Sequence, residues 1–318
     1  MISIVGAGRI LCWVLVLIAW FGVSMAPAAY DDIYNGYGGR AAGMGGALTA
    51  LADDSSAVFW NPAGLANAKH VEVSQMIGNT MLSAAVLPFR YFTIGLSSYL
   101  GLNDSKMNKY VLSLGGFVSN RWQIGANINY GYYKKTMYND SMKAQGIFLD
   151  GGVQYNASDS VSIGAIYRPR TRLGLTQPSL DMYYFTSYFD YIVLPSKIGV
   201  GAGYRKGQMA VGIGYDLIEE INDRQSMVME DDYPNSYQST MKAGMEYGLF
   251  KGHLPLRMGI NYSFAHDHPN TSGLLNKSIG LGLKLGGFRF DGAFIFEYDK
   301  RNNTDAVGGN FSLGWVFY

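Results

Sequence analysis

The sequence predicts an all-β membrane protein: a 14-stranded antiparallel outer-membrane β-barrel with an N-terminal hatch, or plug, segment. Three observations carry that expectation. Stretches of roughly 9 to 12 residues alternate strictly between apolar and small or polar side chains, the length and period of a tilted strand with one face in lipid. Charged residues make up only 15% of the chain against ~25% in ordinary domains, while 41 residues are glycine and 14% are aromatic. Beyond residue 70 no apolar run approaches the ~20 residues of a membrane helix, so helices cannot do the crossing.

Taken in order, the chain begins with Arg9, an apolar run from Ile10 to Val23 and the small residues Ala26-Pro27-Ala28. This is the pattern of a secretory signal peptide over residues 1–28, with cleavage expected after Ala28. The only cysteine, Cys12, falls inside it, so the mature chain carries no disulfide and no thiolate ligand. Losing Arg9 leaves 24 basic against 24 acidic residues. A net charge of zero offers no field for steering nucleic acid, which is excluded as a partner.

From residue 69 to 318 the barrel is expected. Its fourteen candidate strands are 69–78, 80–89, 91–102, 109–119, 121–134, 143–156, 159–168, 195–205, 207–217, 238–249, 254–265, 275–285, 288–298 and 307–318. The fifth shows the pattern clearly: Trp122, Ile124, Ala126, Ile128, Tyr130 and Tyr132 alternate with Gln123, Gly125, Asn127, Asn129 and Gly131. Aromatics near the ends of the apolar face fit interfacial girdles. Charges on the opposite face could not sit in the dry core of a soluble sandwich without pairing. Connections after even strands are short and the long ones follow odd strands, which puts the short turns on the periplasmic side. A terminal aromatic strand, Phe311 to Tyr318, resembles the recognition signal of outer-membrane barrels.

Fourteen strands tilted by ~40° enclose a backbone radius of roughly 14 Å, too wide for wall side chains to fill. Residues 29–68 do not alternate and are the expected plug. Asp53, Asp54 or Ser55 can cap a short helix there, and Asn61-Pro62 ends it. Inward glycines, notably 199, 201, 203, 212, 214, 259, 280 and 282, are expected to make room on the wall.

The segment Gly39 to Leu65 opens Gly-Gly-Arg-Ala-Ala-Gly-Met-Gly-Gly-Ala and closes Asp-Asp-x-x-Ala-x-x-x-Asn-Pro-Ala-Gly-Leu. It resembles the N-terminal hatch of the long-chain fatty-acid transporter (FadL) superfamily, which also contains the PorV and PorQ barrels of type IX secretion. The resemblance implies a channel in the outer membrane of a diderm bacterium for passive uptake of hydrophobic molecules, long-chain fatty acids foremost. The alternative it leaves open is a PorV/PorQ-like scaffold or adaptor whose partners are secretion-system proteins. On the transport reading, Asn61, Pro62, Ala63 and Gly64 are the gating residues. Phe185, Phe189 and Tyr191, in the longest outer loop, are candidates for ligand contact.

Other chemistry is sparse. Gly43, Gly45 and Gly46 lack the preceding strand of a dinucleotide-binding loop. His266-Asp267-His268 supplies too few fixed ligands for a metal, and no serine has an evident base among the four histidines, so neither cofactor nor enzyme activity is expected. Lys284, Arg289, Asp291 and Glu297, with Lys242, Glu246, Arg257, Asp216, Lys197 and Arg205, face inward by parity. Their mixed signs suit a network that pins the plug.

Overall fold

The computed structural model describes residues 38–77, 80–101, 105–137, 140–177, 191–220, 236–265, 273–299 and 304–318. Its strands are β1 (Val71–Ile77), β2 (Thr80–Pro88), β3 (Phe92–Gly101), β4 (Ser105–Phe117), β5 (Trp122–Met137), β6 (Asp140–Asn156), β7 (Val161–Arg168), β8 (Thr171–Gln177) and β9 (Tyr191–Leu194). They continue with β10 (Lys197–Lys206), β11 (Met209–Glu220), β12 (Ser236–Leu249), β13 (Leu254–Ala265), β14 (Leu274–Leu285), β15 (Phe288–Asp299) and β16 (Thr304–Phe317). Fourteen of them form a closed antiparallel ring. β1 to β7 pair in sequence, β7 pairs with β10, β10 to β16 pair in sequence, and β16 returns to β1 through Val71 opposite Phe317. Closure leaves no edge in the ring, which is the condition for a sheet to live in lipid.

Alternation decides which face each residue takes. Trp122, Ile124, Ile128 and Tyr130 are exposed on the outer wall of β5, whereas Gln123, Asn127 and Asn129 are buried in the lumen. The short turns gather aromatics at one end: Phe89 stacks on Phe92, Trp122 lies against Tyr155, and Trp315 meets Phe288 edge-on. Trp122, Tyr155 and Trp315 among them are amphipathic rings of the kind a membrane interface accepts.

The region expected as one long connection after β7 differs. Thr171–Gln177 and Tyr191–Leu194 are strands, so Tyr191 stands in β9 and not in a loop. Arg168 opposite Lys197 and Thr171 opposite Leu194 keep a single antiparallel register, so β7–β8 and β9–β10 are one long hairpin interrupted once. The interruption holds Pro169 on one strand and Pro195 on the other. Proline donates no backbone hydrogen bond, and reading the first proline as the end of the strand conceals its continuation. β8 also pairs with the upper part of β6, across a bulge between Lys143 and Ala144.

Candidate functional site

Residues 38–68 lie inside the ring and hold only short pieces of regular structure, with glycine setting the turn after the first helix and proline opening the last one. A one-turn helix α1 (Gly39–Gly43) ends at Met44, and Gly45 and Gly46 follow with φ of 59° and 77°, values that suit glycine. A second, α2 (Ala57–Trp60), starts after Ser56; Asp54 accepts from the Ser56 amide at 2.9 Å. The extended Asn61 then admits Pro62 at the start of a 3-10 turn, Pro62–Asn67. Ala41, Met44, Leu48, Ala57, Ala63 and Leu65 are fully buried.

The wall fits this segment at glycines. A Cβ on Gly125 would stand 2.2 Å from the Pro62 carbonyl carbon, on Gly152 2.1 Å from Asn61 Oδ1, and on Gly164 2.3 Å from the Thr49 oxygen. Of the glycines expected to make room, 201, 203, 212, 259 and 280 approach the segment, while 199, 214 and 282 meet wall side chains instead. Gly95, Gly115, Gly125, Gly152, Gly164 and Gly244 also receive it. Inward parity on their strands was the signal available for them.

Asn61 is the joint of the segment. Its Nδ2 donates to the Thr49 carbonyl at 2.7 Å and to the Val153 carbonyl of β6 at 3.2 Å, while its Oδ1 accepts from the Ala63 amide at 3.1 Å. Pro62 and Ala63 press on Gly125, and Gly64 packs on the Ala52 carbonyl. All four expected gating residues therefore meet in one place. Beside them β5 supplies amides: Asn127 donates to the Val58 carbonyl at 2.9 Å, and Gln123 and Asn67 exchange two hydrogen bonds.

Across the lumen the contacts are ionic. Arg40 reaches Asp53 at 2.6 Å, Asp54 at 2.5 Å and Glu246 of β12 at 3.3 Å, while Arg205 of β10 holds the other side of Asp53. Arg257 bridges Glu246 at 2.6 Å and stands 2.7 Å from Asp291, and Arg289 meets Glu72 at 3.2 Å. Together with Lys284 these groups surround a cleft of about 280 Å³ on the short-turn side, where Gly207 and Gly252 also line it. Burial alone would raise Asp53, but the charges of Arg40 and Arg205 outweigh it and hold the carboxyl below the usual carboxylate range. Asp54 is likewise held low, burial being offset by Arg40 and by the Ser56 hydroxyl. Glu297 is separate from this cluster, opposite Asn276 and Ala306.

On the far side of the segment, towards the long connections, an apolar cluster packs in the lumen. Tyr99, Met107, Tyr133, Phe148, Leu173 and Ile192 form one buried cluster with Val58 and Leu65. Lys109 enters it from β4, its ammonium 5.9 Å from the Phe59 ring and 6.0 Å from the Tyr99 ring. Tyr191 lies beneath the Arg172 guanidinium at 4.5 Å. Phe185, Phe189 and the His266–His268 loop fall outside the described residues.

The fold is similar to that of several solved outer-membrane channels. Structural likeness extends over nearly the whole chain: to the CymD monoaromatic hydrocarbon channel with 14% identity, 89% of this chain and 98% of that one covered, and a TM-score of 0.66. A Pseudomonas aeruginosa FadL homologue gives 14% identity, 89% and 98% coverage and a TM-score of 0.62. The P. putida toluene transporter TodX gives 13%, 89% and 99%, and 0.61. At such identities the likeness establishes the fold. By sequence, residues 23–84 match an uncharacterised protein family, UPF0164, and no curated protein matches.

Proposed function

We propose that the chain is a passive outer-membrane channel for hydrophobic molecules, with long-chain fatty acids as its substrate class and residues 29–68 as its hatch. One observation supports this most directly: on the far side of the inner segment a buried apolar cluster packs against it, and the Lys109 ammonium stands 5.9 Å from the Phe59 ring and 6.0 Å from the Tyr99 ring. An acyl chain gains ~0.8 kcal/mol for each methylene removed from water, and a cation in low dielectric favours a carboxylate at its end. On this reading the aromatic loop bearing Phe185 and Phe189, with Tyr191, captures ligand, and displacement of Asn61 to Gly64 opens the hatch.

The test is uptake of labelled oleate by a host that lacks its own transporter. Wild-type chain should restore entry, and Lys109→Met should lower it about tenfold while leaving toluene entry unchanged. Oleate entry no faster than in the empty host would overturn the proposal; equal loss of both substrates in Lys109→Met would remove the fatty-acid assignment.

A further inference from the structure

The charges around the short-turn cleft do not all consume one another. Five acids line it, and each has an arginine partner: Asp53 and Asp54 with Arg40, Glu246 and Asp291 with Arg257, and Glu72 with Arg289. Lys284 lines the cleft as well and enters no ion pair among the described residues. It stands directly across the β14–β15 ladder from Arg289, one pair in from Leu285 and Phe288, which close the turn. Like charges placed opposite each other on neighbouring strands, with Cβ atoms about 5 Å apart, repel. The backbone that presents the ammonium is anchored, because the Lys284 amide donates to the His253 carbonyl at 2.8 Å.

Exposure gives the cleft a sign. The Arg205 and Arg289 side chains keep 41% and 32% of their surface open, against 12% to 27% for the five acids. An entering solute therefore meets cations first, with the acids behind their arginines. A hydroxyl is added by Ser312, which also lines the cleft: its Oγ accepts from the Gly39 amide at 3.2 Å and keeps its own proton to donate. Gly207 and Gly252, in the short turns, form part of the lining and leave its edge free of side chains.

We propose that this cleft binds a compact dianion of the phosphate kind, taken from the periplasm, between Lys284, Arg289 and the Ser312 hydroxyl. Two adjacent cations are matched by one group with two negative charges, and both an ammonium and a guanidinium give charge-assisted hydrogen bonds to phosphate oxygens. Walls this rich in charge select a soluble anion over the head of an acyl chain. Gly38, Arg40 and Ala41 of the inner segment complete the same cleft, so occupancy stabilises the seated segment by mass action. The site goes beyond the channel reading and does not depend on it.

The test is a titration of the purified barrel, in non-ionic detergent, with inorganic phosphate against chloride of equal ionic strength, followed by calorimetry and hydrogen exchange. Phosphate should bind saturably and slow exchange at residues 39–44. Lys284→Met should weaken binding about tenfold, and Lys284→Arg should retain it. Arg289→Gln should weaken it as much and serves if Lys284→Met does not fold, as judged by heat-modifiable mobility. No saturable binding to wild-type barrel would overturn the proposal. Binding unchanged in folded Lys284→Met or Arg289→Gln would mean an adventitious ion only, and would overturn it as well. Oleate bound in a Lys284-dependent way, with no binding of phosphate, would give the cleft to the head of the transported molecule; the dianion site would then fall and the channel reading would stand.

Discussion

Glycines seat the inner segment on both halves of the wall, but the polar contacts that accompany them differ. On the β3–β6 side the grip is steric and neutral: Pro62 and Asn61 seat on Gly125 and Gly152, and Asn127 and Gln123 supply amide hydrogen bonds. On the side of β10 to β15 and β1 the segment also seats on glycines, Gly212, Gly244 and Gly259, and an ionic network is added through Arg40, Asp53, Asp54, Glu246 and Arg257. The difference assigns two kinds of duty. Glycine contacts admit no compromise in position, since backbone atoms have no alternative rotamer. A mixed-charge network with several partners for each group can lose one and rearrange.

The largest effect should come from breaking the steric side. Gly125→Leu would put a Cβ 2.2 Å from the Pro62 backbone, and nothing there can yield except the whole turn. We expect the inner segment to unseat, at a cost of about 4 kcal/mol or more, the upper range for single substitutions. Hydrogen exchange across residues 44–65 should rise to that of an open segment and single-channel conductance should appear. Protected amides and a closed channel would refute the steric half of the comparison.

Next come the two polar joints, which sharpen it. Arg40→Ala removes the shared partner of Asp53, Asp54 and Glu246; breaking a buried pair costs up to several kcal/mol, but Arg205 and Arg257 remain, so about 3 kcal/mol is expected. Asn61→Ala strips hydrogen bonds from the Thr49 and Val153 carbonyls and should cost about 2 kcal/mol. The two differ in kind. Raising salt from low to molar levels should shrink the Arg40→Ala penalty and leave that of Asn61→Ala unchanged. Equal salt dependence in hydrogen-exchange stabilities would mean that both joints are electrostatic.

These halves were unequally legible in the sequence. The two-residue period located all fourteen ring strands, because in a barrel every strand repeats the same constraint of lipid on one face and lumen on the other. Inward parity marked Arg257, Asp291 and Arg289 as lumen charges, and they meet there. Parity cannot identify which partner lies across a lumen: that Arg40 joins Asp53 to Glu246 depends on how a segment without period folds back on itself. The β8–β9 extension was hidden for a different reason. Pro169 and Pro195 are strong local stop signals, and only the shared register of Arg168–Lys197 and Thr171–Leu194 shows the hairpin continuing past them.

The smallest expected effect is on pH, and it isolates the ionic half alone. Asp53 and Asp54 lie in the lumen outside the spanning strands, and both carboxyls are held below their ordinary values, with Arg40 the leading opposing charge in each case. A carboxylate with a depressed folded-state value contributes stability that is fully present above the unfolded value of ~3.9 and is lost as pH falls through the lower, folded one. Below about pH 4, protection at residues 40–56 should fall first, while residues 61–65, held by neutral amides and glycines, keep theirs until the barrel itself fails. Arg40→Ala should abolish most of that acid sensitivity, because the carboxyls then lose the charge that lowers them. Simultaneous loss of protection over both stretches would show that the inner segment opens as one body, and that its two grips are not separable.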